Sequence, residues 1–201
     1  MPLQNRVTPY GEIAALAGRG LLIGNRGILC DGRRRIVRRW QSRRWIACVL
    51  SYKGIRRPIM DPHSWTELFF LDEATALAAG HRPCAECRRA DYRLFRSLWE
   101  RLYGSPAGAD AIDRVLHAQR LAGKVKRTHR TAVRELPDGA FVRLDSGAWL
   151  VRGGDVLLWS DRGYVARRPR PLSGDAEVLT PPAIVGVLRA GYRPLLHPTA
   201  G

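Results

Sequence analysis

The sequence predicts an α+β fold, in which an N-terminal domain of β-hairpin and helix precedes a small β-meander or barrel with a terminal helix. Three observations predict it: short alternating apolar segments before residue 72, helical apolar spacing between residues 73 and 122, and a return to short alternating segments from Asp138. The 201 residues are enough for the core of one large domain or two small ones. We therefore divide the chain into residues 1–104, a helix and basic connector at 105–137, and a β-rich domain at 138–201.

The N-terminal domain begins with β structure. The segment "GILC", an Asp-Gly pair at 31–32 and "RRRIV" predict a short hairpin, because Asp-Gly tolerates the positive φ of a tight turn. The next apolar segment, "RRWIACVLSY", alternates as a strand, with Ile46 and Cys48 on one face and Trp45 and Ala47 on the other. A further strand is predicted at "TELFFL", and Cys48 is expected to have apolar neighbours.

Helices are predicted on both sides of a Cys-x-x-Cys pair. Asp72 is placed to cap "EATALAAG", which Gly80 can end in the left-handed conformation. After the cysteines, "CRRADYRLFRSLWERLYG" has the apolar spacing of an amphipathic helix that stops at Gly104. Another helix is predicted over Ala109–Ala122, before the basic connector "GKVKRTHRTAVREL".

The C-terminal domain is predicted to be mainly β. From Asp138, short alternating segments are separated by Ser-Gly, Gly-Gly and Asp-Arg-Gly turns. Pro181 and Pro182 then begin "PAIVGVLRAG", at the helix position where a missing N–H costs least. This pattern predicts the meander or barrel and its terminal helix.

Composition narrows the function classes. With 34 Lys and Arg against 18 Asp and Glu, the formal net charge is +16. A domain this basic is typical of nucleic-acid binding, because each neutralised phosphate releases condensed counterions. The other interpretation is a genome rich in arginine codons.

Two further classes are not favoured. No apolar run approaches the roughly 18 to 20 residues of a membrane span, and "MPLQNRVTPYGEI" lacks the order of a signal peptide. We expect a soluble, cytoplasmic protein without a membrane partner. Four cysteines, all before residue 90, are too few for a disulfide framework in a chain of this length.

The cysteines favour a metal site over redox chemistry. A redox Cys-x-x-Cys normally follows a strand, whereas Cys84 and Cys87 follow a predicted helix and its cap. Tetrahedral zinc takes four thiolates, often with one Cys-x-x-Cys pair and distant partners. We therefore expect zinc to stabilise the N-terminal domain. Its predicted ligands are Cys30, Cys48, Cys84 and Cys87.

Other ligand sets remain open. The spacing between Cys30 and Cys48 matches no standard pair, so each is alternatively an ordinary buried thiol. His81 and His63 are reserve ligands.

The segment "DEATALAAGHRPCAEC", residues 72–87, resembles the second half of the zinc-binding domain of the Ada DNA-repair proteins. That family carries an "EALAAGxRPCxxC" segment in the same order of helix, cap and cysteine pair. The resemblance implies a four-cysteine zinc site on a DNA-binding domain, and it places Cys84 and Cys87 at the family's later ligand pair.

The upstream sequence departs from that family. Ada proteins carry their first two cysteines as Cys-x-x-x-Cys, and one of them accepts a methyl group from a DNA phosphotriester. This chain has no such pair, so neither Cys30 nor Cys48 is matched to the methyl-accepting role. The resemblance therefore supports zinc and DNA more than it supports repair chemistry.

Arginine is concentrated in one short segment. Seven arginines lie in the twelve residues from Arg33 to Arg44, with Trp40 among them. Arginines on a hairpin can contact phosphates, and an indole can stack on an unpaired base; the alternative is a solvated strand edge protected by charge. Two more arginines follow the cysteine pair. The predicted nucleic-acid-binding residues are Arg33, Arg34, Arg35, Arg38, Arg39, Trp40, Arg43, Arg44, Arg88 and Arg89.

These observations predict a zinc-containing protein that binds nucleic acid, DNA rather than RNA on the resemblance, in repair or a related DNA transaction. The second hypothesis is an enzyme that acts on nucleic acid, such as a nuclease, a lyase or a methyl-accepting protein. It lacks a convincing catalytic set, although His63 and Glu67 in "HSWTE" are a candidate pair. The third hypothesis is a protein-interaction module held together by zinc.

Overall fold

The computed structural model describes residues 1–55, 58–104 and 108–201. Its fold is of the mixed α+β class that the sequence predicts. The α-helices are α1 (Glu73–Ala78), α2 (Arg89–Tyr103), α3 (Ala109–Arg120) and α4 (Pro182–Arg189), and short 3₁₀ helices cover Val133–Glu135 and Pro198–Ala200. The strands are β1 (Gln4–Val7), β2 (Ile13–Ala15), β3 (Leu22–Asn25), β4 (Ile46–Val49), β5 (Leu68–Phe70), β6 (Arg82–Pro83), β7 (Leu121–Ala122), β8 (Val125–Lys126), β9 (His129–Ala132), β10 (Phe141–Leu144), β11 (Gly147–Arg152), β12 (Asp155–Ser160), β13 (Gly163–Pro169) and β14 (Asp175–Val178).

The first sheet is open and six-stranded, in the order β2-β1-β5-β3-β4-β6. Strand β3 pairs antiparallel with both β4 and β5, while β6 pairs parallel to β4. Beyond β6, the backbone N–H of Cys84 donates to the carbonyl of Ala47 at 2.9 Å. This pairing brings the start of the Cys-x-x-Cys segment beside the strand that carries Cys48.

The predicted hairpin around Asp31 is a wider turn held by one isolated bridge, Cys30 to Ile36. The Asp31 carboxylate accepts hydrogen bonds from the backbone N–H groups of Arg33 and Arg35, at 2.9 and 3.0 Å. The left-handed residue is Arg34, with φ of 58°, rather than the glycine of the Asp-Gly pair. The predicted two-residue turn is therefore wrong, because the Asp31 side chain stabilises a longer turn.

Helix α1 forms as predicted between Asp72 and Gly80. The Asp72 carboxylate accepts from the backbone N–H of Thr75 at 2.9 Å, and Gly80 has φ of +89°. A Cβ atom at Gly80 would also lie 2.7 Å from Cδ of Arg120. Glycine at this position therefore ends the helix and admits the Arg120 side chain.

Helices α2 and α3 follow the predicted apolar spacing. Tyr92, Phe95, Leu98 and Trp99 are buried along α2, which Gly104 ends in the left-handed conformation. Helix α3 ends two residues before its predicted end, because the chain there turns into β7. Within the described ranges, no helix has both the length and the apolar character needed to cross a membrane.

The second sheet is also open, in the order β13-β12-β11-β10-β14-β9. Strands β10 to β13 form the predicted antiparallel meander, and β14 and β9 extend it beyond β10. Because its two edges do not pair in the described residues, the meander forms and the barrel does not. Helix α4 then begins at Pro182, as predicted.

Residues from both sheets and from the four α-helices contribute to the apolar core. Its largest cluster combines side chains from α2, α3, the second sheet and α4, represented by Phe95, Ile112, Val142 and Ile184. Another cluster joins α1 to the second sheet. The division at residues 104 and 137, and the role of zinc in stabilising the first segment, stay predictions.

Candidate metal centre and cationic cavity

Strand β4 and Trp45, the residue before it, line two different cavities. Ile46 and Cys48 line a cavity of about 610 Å³, whereas Trp45 lines a different cavity of about 680 Å³. Successive strand residues point to opposite faces of a sheet, and Trp45 and Cys48 lie on opposite sides as the sequence predicts, although Val49 lines the same cavity as Cys48. A thiol site and a cationic site thus lie on either side of the first sheet.

Cys48, Cys84 and Cys87 form one compact group. Their ligand atoms all lie within 4.8 Å of one another. Cys48 lies on β4, Cys84 directly follows β6, and Cys87 precedes α2. The parallel pairing of β4 and β6 therefore adds a distant cysteine to the local pair.

Hydrogen bonding within the group favours one thiolate. The pKa of Cys84 is lowered to about 5, chiefly because the Cys48 thiol donates a hydrogen bond to its sulfur. Backbone N–H groups of Cys87 and Glu86 add to this effect. The pKa of Cys48 is raised by the same hydrogen bond and by burial, and burial raises that of Cys87. Thiolates are the form that binds metals.

This group could hold a metal ion through three sulfurs. Three protein ligands with one open position are known for tetrahedral zinc, whereas structural zinc sites usually have four protein ligands. In the part of the chain that the structure describes, no fourth cysteine, histidine or carboxylate joins the group. Three sulfurs are suited to a thiophilic metal. Among the described residues, a fourth ligand to that metal does not come from a cysteine, histidine or carboxylate.

Cys30 is not brought to the group. Its side chain is buried, and its sulfur accepts a hydrogen bond from the Thr66 hydroxyl at 3.5 Å. The sulfur also lies 3.8 Å from the carbonyl oxygen of Asp61. The turn after Cys30 thus places it as an ordinary buried thiol, so the four-cysteine set is corrected to three.

Neither reserve histidine joins the cysteines. His81 is fully buried against Trp45 and Phe70, and its Nε2 accepts from Nε of Arg26 at 3.3 Å. Burial, reinforced by the charges of Arg26 and Arg120, lowers the pKa of His81. His63 is exposed and lies outside the group.

The cavity beside the cysteines is partly apolar and contains a buried carboxylate. Ile23, Trp65 and Phe69 line it together with the three cysteines. Glu67 also lines it, with 3% of its surface exposed. One Glu67 oxygen accepts from the backbone N–H of Met60 at 2.7 Å, and the other, Oε1, has no hydrogen-bond partner among the described residues.

Most of the predicted arginines lie on the surface. Two are paired with carboxylates: Arg35 with Asp31 at 2.7 Å and Arg44 with Asp110 at 2.9 Å. Trp40 is half-buried with its ring against His117, centroids 4.5 Å apart. The exposed members of the set are Arg33, Arg34, Arg35, Arg38, Arg39, Arg43, Arg44 and Arg89.

Arg88 belongs to the interior. Its guanidinium donates to both carboxylate oxygens of Glu73 at 2.8 Å and also pairs with Asp91 at 2.9 Å. Its side chain is 5% exposed. Arg88 therefore holds the fold together and is not available to a phosphate, which corrects its predicted role.

A cluster of buried cations on the other side of the sheet was not predicted. The guanidinium carbons of Arg26 and Arg120 each lie 3.9 Å from the centre of the Trp45 ring. These side chains and Lys126 line the larger cavity, where Arg38 and Arg39 of the surface set also lie. Only Lys126 falls in a segment that the sequence marks as basic. Arg26 follows β3 and Arg120 ends α3, so in the sequence both resemble ordinary surface arginines.

Comparisons with protein families, curated proteins and solved structures gave no match to this chain. The resemblance of residues 72–87 to the Ada zinc domain stays a prediction.

Proposed function

We propose that this protein contains zinc and binds nucleic acid, with DNA preferred over RNA. The observation that carries the proposal is a group of exposed arginines at 33–44 that continues into a cationic cavity at Arg38 and Arg39. Among the cavity-lining residues, seven are Lys or Arg and two are Glu. A cationic surface that continues into a concave site suits a chain of phosphates.

Several of these arginines are not ion-paired within the described residues. Within the described ranges, Arg34, Arg38 and Arg43 have no carboxylate at ion-pair distance, unlike Arg35 and Arg44. An unpaired exposed guanidinium can displace counterions from a phosphate without first breaking an ion pair. Trp40, which is half-buried, supplies an aromatic edge at the same surface.

The proposed zinc would be held by Cys48, Cys84 and Cys87, whose thiolates suit this metal. It would join β4 to the start of α2 and so stabilise the strand that follows the arginine segment. The preference for DNA and for a role in repair rests on the Ada-like residues 72–87. If the protein does not bind nucleic acid, the alternative proposal is a protein-interaction module.

Charge reversal of Arg34, Arg38 and Arg43 to Glu is expected to weaken binding to all duplex sequences alike. Phosphate contacts position a protein without reading bases, so no sequence should be spared. Each lost phosphate neutralisation should reduce the slope of log affinity against log salt by about one. Fluorescence anisotropy with a random-sequence duplex over a salt series would measure both quantities.

The matched control reverses three other exposed arginines, Arg93, Arg101 and Arg162, which do not line the cavity and have no ion pair among the described residues. It makes the same change in net charge, so a general electrostatic effect would weaken both variants equally. Wild-type affinity and salt slope in the first variant would show that its arginines are only a solvated surface.

One observation favours an enzyme as a second candidate. Glu67 lines the same cavity as the three cysteines, and its buried Oε1 has no hydrogen-bond partner among the described residues. A carboxylate so placed could accept or return a proton during a reaction on nucleic acid, while a bound metal would supply Lewis acidity. Glu67, rather than the exposed His63, is therefore the residue on which this candidate depends.

Glu67→Gln would remove that proton acceptor while keeping its shape. If the enzyme proposal is right, zinc-loaded protein should alter an oligonucleotide, and the variant should do so about 100-fold more slowly or worse. Mass spectrometry of single-stranded and duplex oligonucleotides would detect cleavage or base modification. Glu135→Gln, on the exposed surface, is the control, and unchanged oligonucleotides with the wild type would reject this candidate.

A further inference from the structure

The larger cavity is lined by two buried arginines, which lie over one aromatic ring, and by a half-buried lysine. Arg26 and Arg120 are each 1% exposed, and both guanidinium groups lie over Trp45. Lys126, which is half-buried, lines the same cavity as the two arginines. Buried lysines and arginines are normally paired with carboxylates, so the partners of these three decide what the cluster can do.

Those partners are neutral. Nη1 of Arg26 donates to the carbonyl of Gly11 at 2.9 Å, and Nη1 of Arg120 donates to that of Gly80 at 2.9 Å. Nζ of Lys126 donates to the carbonyl of Ala78 at 2.6 Å. No carboxylate of the described residues forms a salt bridge with any of the three.

Two donors in the cluster also lack any partner among the described residues. They are Nη2 of Arg26 and Nε of Arg120. The charge of the buried Asp113 carboxylate acts on Arg120, but Asp113 is already held by Arg82 through two hydrogen bonds of 3.0 and 2.7 Å. Among the described residues, Asp113 and Glu177 act on the cluster only from a distance, so its positive charge lacks an ion-pair partner and two of its donors are unused.

Burial and mutual repulsion make the cluster costly without an anion. Burial, followed by the charges of Arg26 and Arg120, lowers the pKa of Lys126 to about 7. Burial likewise lowers the pKa of Arg120 to about 9. For Arg26, burial and the charges of Arg120 and Arg39 lower the pKa as well. An anion placed among the three would favour the charged form of each.

We propose that this cavity binds one phosphate group, held by Arg26, Arg120 and Lys126. A phosphate offers several oxygens and up to two negative charges, which matches cationic donors that converge from three separate segments. The cavity volume of about 680 Å³ lies in the range of small-molecule sites. Glu12 and Glu177 also line the cavity and would repel an anionic ligand. The seven Lys and Arg residues of the lining outnumber them, so the cavity as a whole is cationic.

The phosphate group has two sources. It is either part of a free phosphate compound or the terminal phosphate of a nucleic-acid chain that reaches the cavity past Arg38 and Arg39. The phosphate is held only by Arg26, Arg120 and Lys126, so the site stands even if the exposed arginines do not bind duplex DNA.

Titration of the wild-type protein with inorganic phosphate tests the site directly. Calorimetry should give one site per chain, and the melting temperature should rise more in phosphate than in chloride or acetate at equal ionic strength. Equal melting temperatures in the three salts, together with no heat of phosphate binding, would overturn the proposal. This test needs no variant.

Lys126→Met removes one cation and keeps the apolar stem. It is expected to weaken phosphate binding about tenfold or more, as the loss of a charge-assisted hydrogen bond implies. Lys53→Met makes the same chemical change at an exposed position outside the cavity and should leave phosphate binding unchanged. Full phosphate affinity in a folded Lys126→Met protein would contradict the assignment. Arg26→Gln repeats the test if Lys126→Met does not fold.

Competition separates the two sources. A short single-stranded oligonucleotide with a 5′-phosphate and the same oligonucleotide with a 5′-hydroxyl are added against bound phosphate, alongside a mononucleotide. Displacement by the phosphorylated oligonucleotide alone assigns the site to nucleic-acid ends, whereas displacement by the mononucleotide alone assigns it to a free phosphate compound. Displacement by neither, with no direct phosphate binding, rejects the site.

Discussion

Replacing Cys84 with serine is expected to reduce bound metal from one equivalent per chain to almost none. Cys84 is the cysteine whose pKa is lowered to about 5 by the Cys48 thiol and by backbone N–H groups, so it is the best thiolate of the three. Structural zinc contributes its binding free energy to folding, about 10 to 16 kcal/mol in small zinc domains. Its loss here should destabilise the protein by several kcal/mol.

Metal analysis and thermal melting of protein purified without added metal would measure the two effects. Cys30→Ser is the matched control, because Cys30 is buried but lies outside the three-cysteine group. It should retain the metal and lose only the contacts of one thiol with Thr66 and Asp61. Wild-type protein that melts normally without metal, with all four thiols reactive once unfolded, would contradict the zinc proposal.

Replacing Glu73 with glutamine is expected to lower the free energy of unfolding by about 3 to 5 kcal/mol, the usual cost of removing one partner from a buried ion pair. Glu73 is 1% exposed and accepts two hydrogen bonds from Arg88. It also accepts from the Tyr192 hydroxyl at 2.6 Å and from the backbone N–H of Leu195 at 2.9 Å. The change therefore leaves the Arg88 charge buried and weakens contacts between α1 and the segment after α4.

Urea denaturation followed by tryptophan fluorescence would measure this loss. Glu100→Gln is the control, since Glu100 pairs with Arg96 at 2.7 Å on the half-exposed face of α2. An exposed pair of this kind contributes less than about 1 kcal/mol, so the control should unfold near the wild-type midpoint. A loss below that value in Glu73→Gln would show that the buried network is not a major link between these segments.

Local rules were sufficient for much of the fold. The cap at Asp72, the left-handed stops at Gly80 and Gly104, and the apolar spacing of α2 each depend on residues a few positions apart. The alternation along β4 likewise predicts that Cys48 shares a face of the sheet with Ile46, and both line the same cavity. Such features can be predicted from a sequence because the side-chain pattern repeats about every 3.6 residues in a helix and every two residues in a strand.

The arginines show where local rules fail. Arg88 lies between exposed neighbours, with Glu86 two positions before it and Arg89 directly after it. It is nevertheless buried, because its guanidinium pairs with Glu73 of α1. The turn after Cys30 was mispredicted for a related reason, since the Asp31 side chain competes with the tight Asp-Gly turn. In both cases a specific hydrogen bond overrides the residue's general preference.

The sequence by itself determined the α+β class, the capped helices, the Cys84–Cys87 pair and the positive charge of the protein. Only the tertiary structure decided that Cys48 joins that pair while Cys30 does not, and that Arg26 and Arg120 meet over Trp45 beneath the surface. The physical reason is distance along the chain. Arg120 donates to Gly80, 40 residues away, and Arg26 donates to His81, 55 residues away; contacts of this kind depend on how strands and helices pack, which no local pattern specifies.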